Sequence, residues 1–151
     1  MDYPLGYFLT WTTYGTWLPG DDRGWVDGKT HEIHFVPAPD RELSAQTVMS
    51  EQPITLVPAQ RELVDRTIRD HCRIRAWELH AVNVRTNHVH VVLTADRSPD
   101  VVMEQFKAWG TRRLKAGDPR RRKWWTENGS KRYLWTEEAL EAAIAYVRDC
   151  Q

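Results

Sequence analysis

The alternation of apolar and polar positions along the chain predicts four β-strands. Residues 7–14 are dense in aromatic and β-branched side chains, which favour a pleated surface. Apolar runs at residues 77–84 and 88–95 are separated by a short polar turn, which predicts a hairpin. A further short strand is predicted near residues 133–135.

Segments whose apolar residues recur at helical intervals lie between and after these strands. Apolar residues that recur at helical intervals predict a first helix over residues 58–74. A Ser-Pro-Asp helix start at residues 98–100 and the apolar stripe after it predict a second helix that ends at Gly117. Thr136, followed by two glutamates, is typical of an N-cap with an acidic first turn and predicts a last helix, which carries Tyr146.

The order of these elements predicts an α+β fold with a ferredoxin-like antiparallel sheet and with the helices packed on one face. The first strand and the first helix are separated by a long segment, at about residues 18–58, that is rich in proline, glycine and charge. A short helix is expected around residues 40–50, and so long a connection indicates a functional or a mobile loop. The length of 151 residues predicts one domain over residues 1–151 with this loop-rich insertion.

Composition narrows the class of protein further. No run approaches the roughly 18 apolar residues of a membrane span, and the N-terminus lacks a basic and apolar leader, so we expect a soluble, cytoplasmic protein without a membrane partner. Two cysteines, Cys72 and Cys150, are too few for a disulfide framework. Trp11, Trp77 and Trp109 are expected in the core.

The net charge of zero conceals a strongly basic segment. Residues 107–132 contain ten basic and two acidic side chains, with tryptophans among them. Aromatic rings between cations suit single-stranded nucleic acid, because bases stack on the rings and phosphates pair with the cations. A solvated basic face that serves only solubility is the alternative. The predicted nucleic-acid contacts are Lys107, Arg112, Arg113, Lys115, Arg120, Arg121, Arg122, Lys123, Trp124 and Trp125.

Candidate chemistry comes from a pair of histidines and a late tyrosine. His88 and His90 occupy alternate positions of a predicted strand, so both imidazoles project from one face and can hold one metal ion. Beside that ion, Tyr146 would supply a nucleophile, and the two together could break a phosphodiester through a covalent intermediate. The competing interpretation is that the histidines are structural and that Tyr146 packs on an amphipathic helix.

Several segments, in order along the chain, resemble the single-tyrosine HUH transposases, including their REP-associated branch. These are the opening strand with the Leu-Pro-Gly at residues 18–20, Asn-His-Val-His-Val-Val-Leu at residues 87–93, Leu-Trp at residues 134–135 before an acidic helix start, and Ala-Tyr-Val-Arg at residues 145–148. The His-x-His element alone is weak. The order of all four carries the resemblance.

The resemblance implies a transposase-like single-strand endonuclease and strand-transferase. In such a protein His88 and His90 bind Mg²⁺ or Mn²⁺, which polarises the scissile phosphate. Tyr146 attacks the phosphorus of single-stranded DNA, forming a 5′-phosphotyrosine link and releasing a 3′-hydroxyl that can reverse the reaction. The implied partner is hairpin-forming single-stranded DNA, and the family's mixture of monomers and dimers leaves a homodimer open.

One position departs from the family pattern. The family places a Gln or Asn one helical turn after the tyrosine as a further metal ligand, but Cys150 stands there in this chain and Gln151 follows it. The soft sulfur of cysteine is a poor ligand for Mg²⁺. The resemblance therefore favours Gln151 as the third ligand, with Asp149 as the alternative.

Two other functions fit parts of the same pattern. A domesticated, catalytically silent protein of the same fold would bind single-stranded nucleic acid without cleaving it, since phosphate contacts persist without a working site. An unrelated α+β enzyme could instead hold zinc on His88 and His90 with no role for DNA.

Overall fold

The computed structural model describes residues 3–16 and 51–149. The helix expected around residues 40–50 and most of the insertion lie outside these described residues. The strands are β1 Gly6–Thr12, β2 Glu78–Val84, β3 His88–Thr94 and β4 Ser130–Leu134, and the helices are α1 Pro58–Arg75, α2 Pro99–Gly117 and α3 Glu137–Asp149.

The four strands form one sheet in the order β2-β3-β1-β4, and every neighbouring pair is antiparallel. The hairpin predicted between β2 and β3 is present. With α1 and α2 as the connections, the topology is ferredoxin-like, so the predicted α+β class is confirmed. The register pairs His90 with Thr10 on one side and with Asn83 on the other.

The helix starts follow the predicted local chemistry. The Ser98 side chain accepts a hydrogen bond from the Val101 backbone N–H, and the Thr136 hydroxyl accepts one from the Ala139 N–H at 3.0 Å. Proline at the first position of α1, Pro58, fits because that position has no intrahelical partner for an N–H. None of the helices in the described ranges is long and apolar enough to cross a membrane.

The helices divide between the two faces of the sheet. The larger core lies between the sheet, α1 and α2, whereas a smaller cluster of Ala81, Val92, Leu134, Ala143 and Val147 joins α3 to the opposite face. This arrangement differs from the expectation that all helices share one face. The reason lies in β3, whose residues 89 and 91–93 are fully buried and need cover on both sides.

The predicted tryptophan core is correct for two positions and wrong for the third. Trp11 and Trp77 are buried, but the Trp109 side chain is 39% exposed on α2. The Trp109 ring lies between the buried ring of His71, at a centroid distance of 6.1 Å, and the Arg112 guanidinium, 4.7 Å from the ring centroid, so it packs at the edge of the core rather than within it.

We expect Phe106→Ala to lower the free energy of unfolding by about 3–5 kcal/mol, because the ring is buried against Trp11 and Trp77 and its removal leaves a cavity. Urea denaturation measures this loss. The control is Val101→Ala on the exposed side of the same helix, which should cost about 1 kcal/mol or less. Equal losses for the two variants would contradict the assigned core.

Candidate active site

The two histidines of β3 lie side by side on the face of the sheet that α3 covers. His88 and His90 project from this face because they are two residues apart on one strand. Their ring centroids are 4.7 Å apart. The geometry therefore brings together the two side chains that the sequence singled out as metal ligands.

Each imidazole is oriented through its Nδ1 atom. His90 Nδ1 hydrogen bonds with the Thr10 hydroxyl at 2.9 Å in a buried contact from the neighbouring strand. His88 Nδ1 donates to Asn87 Oδ1 at 2.8 Å, since an amide oxygen can only accept. In both rings Nε2 is then the nitrogen that remains for a metal ion, as is usual for histidine ligands held by a second partner.

Burial keeps both imidazoles neutral. Loss of solvent lowers the pKa of His90 to about 4, with further contributions from the positive charges of His88 and Arg85. The pKa of His88 is lowered by burial first and by Arg85 second. Metal ions bind neutral imidazole, so both side chains are in the ligand form at physiological pH.

Tyr146 on α3 lies beside this pair. Its ring centroid is 5.8 Å from that of His90 and 5.9 Å from that of Phe8, and its side chain is 54% exposed. Two contacts hold this part of α3 on the sheet: Val147 is fully buried, and Asn83 Nδ2 donates to the Val147 carbonyl at 2.9 Å. An exposed tyrosine side chain, accessible to a ligand, therefore adjoins the histidine pair.

The third predicted ligand is not tested by this geometry. Gln151 lies outside the described residues, as does Cys150. Within residues 3–16 and 51–149, no three His, Cys, Asp or Glu side chains come together as a metal cluster. Asp149 therefore does not complete a set with the two histidines.

The residues predicted to contact nucleic acid divide into two groups, and the first group has internal partners. Lys107 Nζ donates to the backbone carbonyls of Thr126 and Asn128 at 3.0 and 2.6 Å, and burial lowers its pKa. Trp124 is only 1% exposed. The other members of this group are Arg113, paired with Asp70; Arg121, which donates to the Gln52 carbonyl; and Trp125, which donates to Thr111.

The second group faces solvent. It comprises Arg112, Arg120, Arg122 and Lys123, which are exposed, and Lys115, which is half-buried. Arg122 and Lys123 line an open groove of about 720 Å³ beside α2. Thr126, also in the groove, hydrogen bonds through its hydroxyl to that of Thr12 at 2.7 Å, and Thr12 is the sheet partner of His88. One residue that lines the groove is thus bonded to the strand that pairs with the histidine strand.

Arg132 is a candidate that sequence reasoning did not place in the site. It pairs with Phe8 across the sheet, and its guanidinium carbon lies 5.6 Å from the Phe8 ring, which in turn contacts the rings of His90 and Tyr146. No carboxylate among the described residues forms a salt bridge with it. Arg132 lies two residues before the buried Leu134, so both side chains project from the same face, and this spacing is the signal that could have found it. The strand was predicted near residues 133–135, whereas it begins at Ser130.

Comparison with solved structures gives the same fold. A REP-associated tyrosine transposase bound to a REP hairpin aligns with a TM-score of 0.54 at 12% identity, over 97% of this chain and 67% of the other. A transposase candidate from Deinococcus radiodurans aligns with a TM-score of 0.50 at 16% identity, over 99% of this chain and 92% of the other. No curated protein matches the chain.

A family model described as "Transposase IS200 like" matches residues 31–144, which is most of the chain. The match includes both histidines and ends just before Tyr146. The resemblance drawn from the sequence is thereby confirmed at the level of the family, and this chain belongs to the IS200-like transposases.

Proposed function

We propose that this protein is a single-strand DNA endonuclease and strand-transferase in which Tyr146 is the nucleophile. The observation that carries the proposal is the contact of the Tyr146 and His90 rings, at 5.8 Å, beside a second histidine. Membership in a transposase family and the fold shared with a hairpin-bound transposase support it. The partner we propose is likewise single-stranded DNA that forms a hairpin.

The donor set fits a divalent cation in part. Two neutral imidazoles with their Nδ1 atoms anchored are suitable ligands, and Mg²⁺ or Mn²⁺ would take its remaining ligands from oxygen atoms. Held by the Nε2 atoms of His88 and His90, such an ion would polarise the scissile phosphate. Gln151 stays our proposal for a protein oxygen in this set.

The chain's own groups would carry the covalent step. The Tyr146 hydroxyl, a phenol that is mostly protonated at neutral pH, must lose its proton as its oxygen attacks phosphorus, and the departing 3′-oxygen must gain one. Both protons exchange with solvent water, so the step needs no further reactant. The bond from phosphorus to the 3′-oxygen breaks, and the DNA keeps a 5′-phosphate ester to the tyrosine. The released 3′-hydroxyl can attack the same ester, so strands can be rejoined without an energy cofactor.

Arg132 is a well-placed cation for the phosphate in this reaction. It lies on the same face as Tyr146, has no carboxylate partner among the described residues and is separated from His90 by one aromatic ring. A guanidinium can bind two phosphate oxygens at once and can stabilise the charge that develops on them. We therefore assign phosphate binding near Tyr146 to Arg132.

A catalytically silent DNA-binding protein is the second candidate function. Cys150 favours it, because it stands at the position where the family has an amide and its soft sulfur is a poor ligand for Mg²⁺. Its exposed cations would still bind phosphates.

Tyr146→Phe should abolish a covalent protein–DNA adduct, because the ring is kept and only the attacking oxygen is lost. Labelled hairpin oligonucleotides incubated with Mn²⁺ or Mg²⁺ and run on a denaturing gel measure the adduct, and EDTA should remove it as well. The control, Tyr3→Phe, changes an exposed tyrosine outside the site and should leave the adduct intact. DNA binding without any adduct in the wild type would favour the silent protein.

Arg132→Ala should reduce the rate of cleavage at least about tenfold and lower the slope of log affinity against log salt by about one phosphate contact. Arg132→Lys should recover part of the loss, because the lysine keeps the positive charge. It should not recover all of it, because an ammonium cannot bind two phosphate oxygens as a guanidinium does. Arg66→Ala removes an exposed cation from α1 and serves as the control. Comparable losses for Arg66→Ala and Arg132→Ala would contradict a specific role.

The stability of the protein should fall in mild acid through His90. Between about pH 6.5 and 4 the unfolded state takes up a proton on this imidazole that the folded state excludes, so the free energy of unfolding decreases as pH falls. The expected loss from about pH 7 to about pH 4.5 is roughly 2–3 kcal/mol, measured by urea denaturation. His90→Gln should remove most of this dependence, and an unchanged slope would contradict the assignment.

A further inference from the structure

The outer edge strand β4 ends in a pair of stacked aromatic rings that the proposed chemistry leaves unused. The ring centroids of Tyr133 and Trp135 are 6.0 Å apart, and the ring planes differ by only 13°. Both side chains are exposed, at 44% and 55% respectively. Neither ring is part of the two hydrophobic clusters that hold the fold together.

The stacked pair is held by ordered neighbours. Tyr7, which is buried, packs its ring edge-on against Tyr133 with a centroid distance of 5.5 Å, and the Tyr7 hydroxyl donates to the Arg97 carbonyl at 2.9 Å. Trp135 stands between fully buried Leu134 and the residue that caps α3. Binding of a ligand to these rings would therefore cost little further entropy of the Tyr133 and Trp135 side chains.

Two nearly parallel rings at the surface suit a planar aromatic ligand. A third flat ring can extend the stack on an outer face, and nucleobases do so without regard to their identity because every base has a π-face. The charge on this side of the strand is weak, since Lys131 is paired with Asp100 at 2.7 Å. Stacking, rather than ionic attraction, is then the available interaction.

The position of the pair favours DNA as the source of that base. Arg132 is the immediate neighbour of Tyr133 and lies on the opposite face of β4, toward Phe8 and Tyr146. A chain of nucleotides that crosses the edge of β4 could place a phosphate on Arg132 and a base on the aromatic pair. Arg132 and Tyr133 are adjacent residues of the edge strand β4, so one single-stranded segment of DNA can reach both contacts.

We propose that Tyr133 and Trp135 form a stacking platform for an unpaired nucleobase of single-stranded DNA that leads to Tyr146. This inference rests on the proposed function for its choice of ligand. The platform contributes affinity and fixes the position of the strand, and it does not read the base. A second copy of the chain docked along β4 is the other occupant that the test separates.

The test combines protein variants with abasic nucleotides. Hairpin oligonucleotides with single-stranded flanks, each lacking one base, are titrated against Trp135→Ala and the parent protein by fluorescence anisotropy, both in the Tyr146→Phe background to prevent cleavage. Trp135→Ala should weaken binding of the intact oligonucleotide by about 5- to 150-fold, the range for one stacked base. Trp135→Phe should keep most of the affinity, and Tyr133→Ala should also weaken binding.

The abasic series distinguishes stacking from a structural role. At one flank position the missing base should weaken binding by the parent protein but add little to the effect of Trp135→Ala, because both changes remove the same contact. Trp109→Ala removes an exposed tryptophan on α2 and should change affinity less than about twofold at every position. Thermal melts verify that each variant is folded.

Several outcomes overturn the proposal. If the losses of DNA affinity from Trp135→Ala and from the abasic nucleotide add fully at every position, the two changes do not remove a shared contact. A change in sedimentation from dimer to monomer in Trp135→Ala, with DNA affinity unchanged, assigns the pair to a protein interface. Absence of any DNA binding overturns the platform and the proposed function together. If no covalent adduct forms while the coupling between Trp135 and one base persists, only the cleavage proposal fails and the platform stands.

Discussion

The fold depends on one constraint: β3 is buried on both of its faces. Val89, Val91 and Leu93 point to α1 and α2, and Val92 points the other way; all four are inaccessible to solvent. An exposed Val92 face would leave apolar surface in water, so a third layer must cover it. The layer that does so is α3, and this helix carries Tyr146. Burial of a hydrophobic strand therefore places the tyrosine over the histidines of the same strand.

The same burial decides the charge state of the site. An imidazole enclosed in this way loses hydration that its protonated form needs, and Arg85 adds a repulsive charge. The neutral rings reduce the stability of the protein in acid, while the exposed Tyr146 side chain remains open to a ligand. The site thus combines buried histidines with an exposed tyrosine, an arrangement that suits the proposed reaction on a large, charged polymer.

Much of the fold could be predicted from the sequence because the signals are local. The Ser98 and Thr136 caps and the polar turn of the hairpin each depend on a few adjacent residues, and all three occur where expected. The side of the sheet that α3 takes could not be predicted in this way, since it depends on the total burial of β3. For the candidate site, the pairing of His88 with His90 followed from strand alternation alone.

The basic segment shows why composition is a weaker guide than geometry. The charge density of residues 107–132 was visible in the sequence, but which of these residues have internal partners and which face solvent was not. Lys107 donates to carbonyl groups of its own chain, and Trp124 packs in the core, because the chain passes back along β1 at this point. Arg132 was counted in the same segment, yet only the pairing of β4 with β1 brings it to the face of Tyr146.

The Thr10–His90 hydrogen bond joins two strands that are far apart in the chain. Its existence depends on the alignment of β1 with β3, in which Thr10 is opposite His90. A slip of one residue would bring Leu9 or Trp11 to that position and would turn the apolar side of β1 toward the histidines. Neither replacement could bond to the imidazole. Assembly of the sheet and orientation of the candidate metal ligand His90 are therefore one event, and a chain that collapsed with the wrong alignment would be compact but would lack this contact.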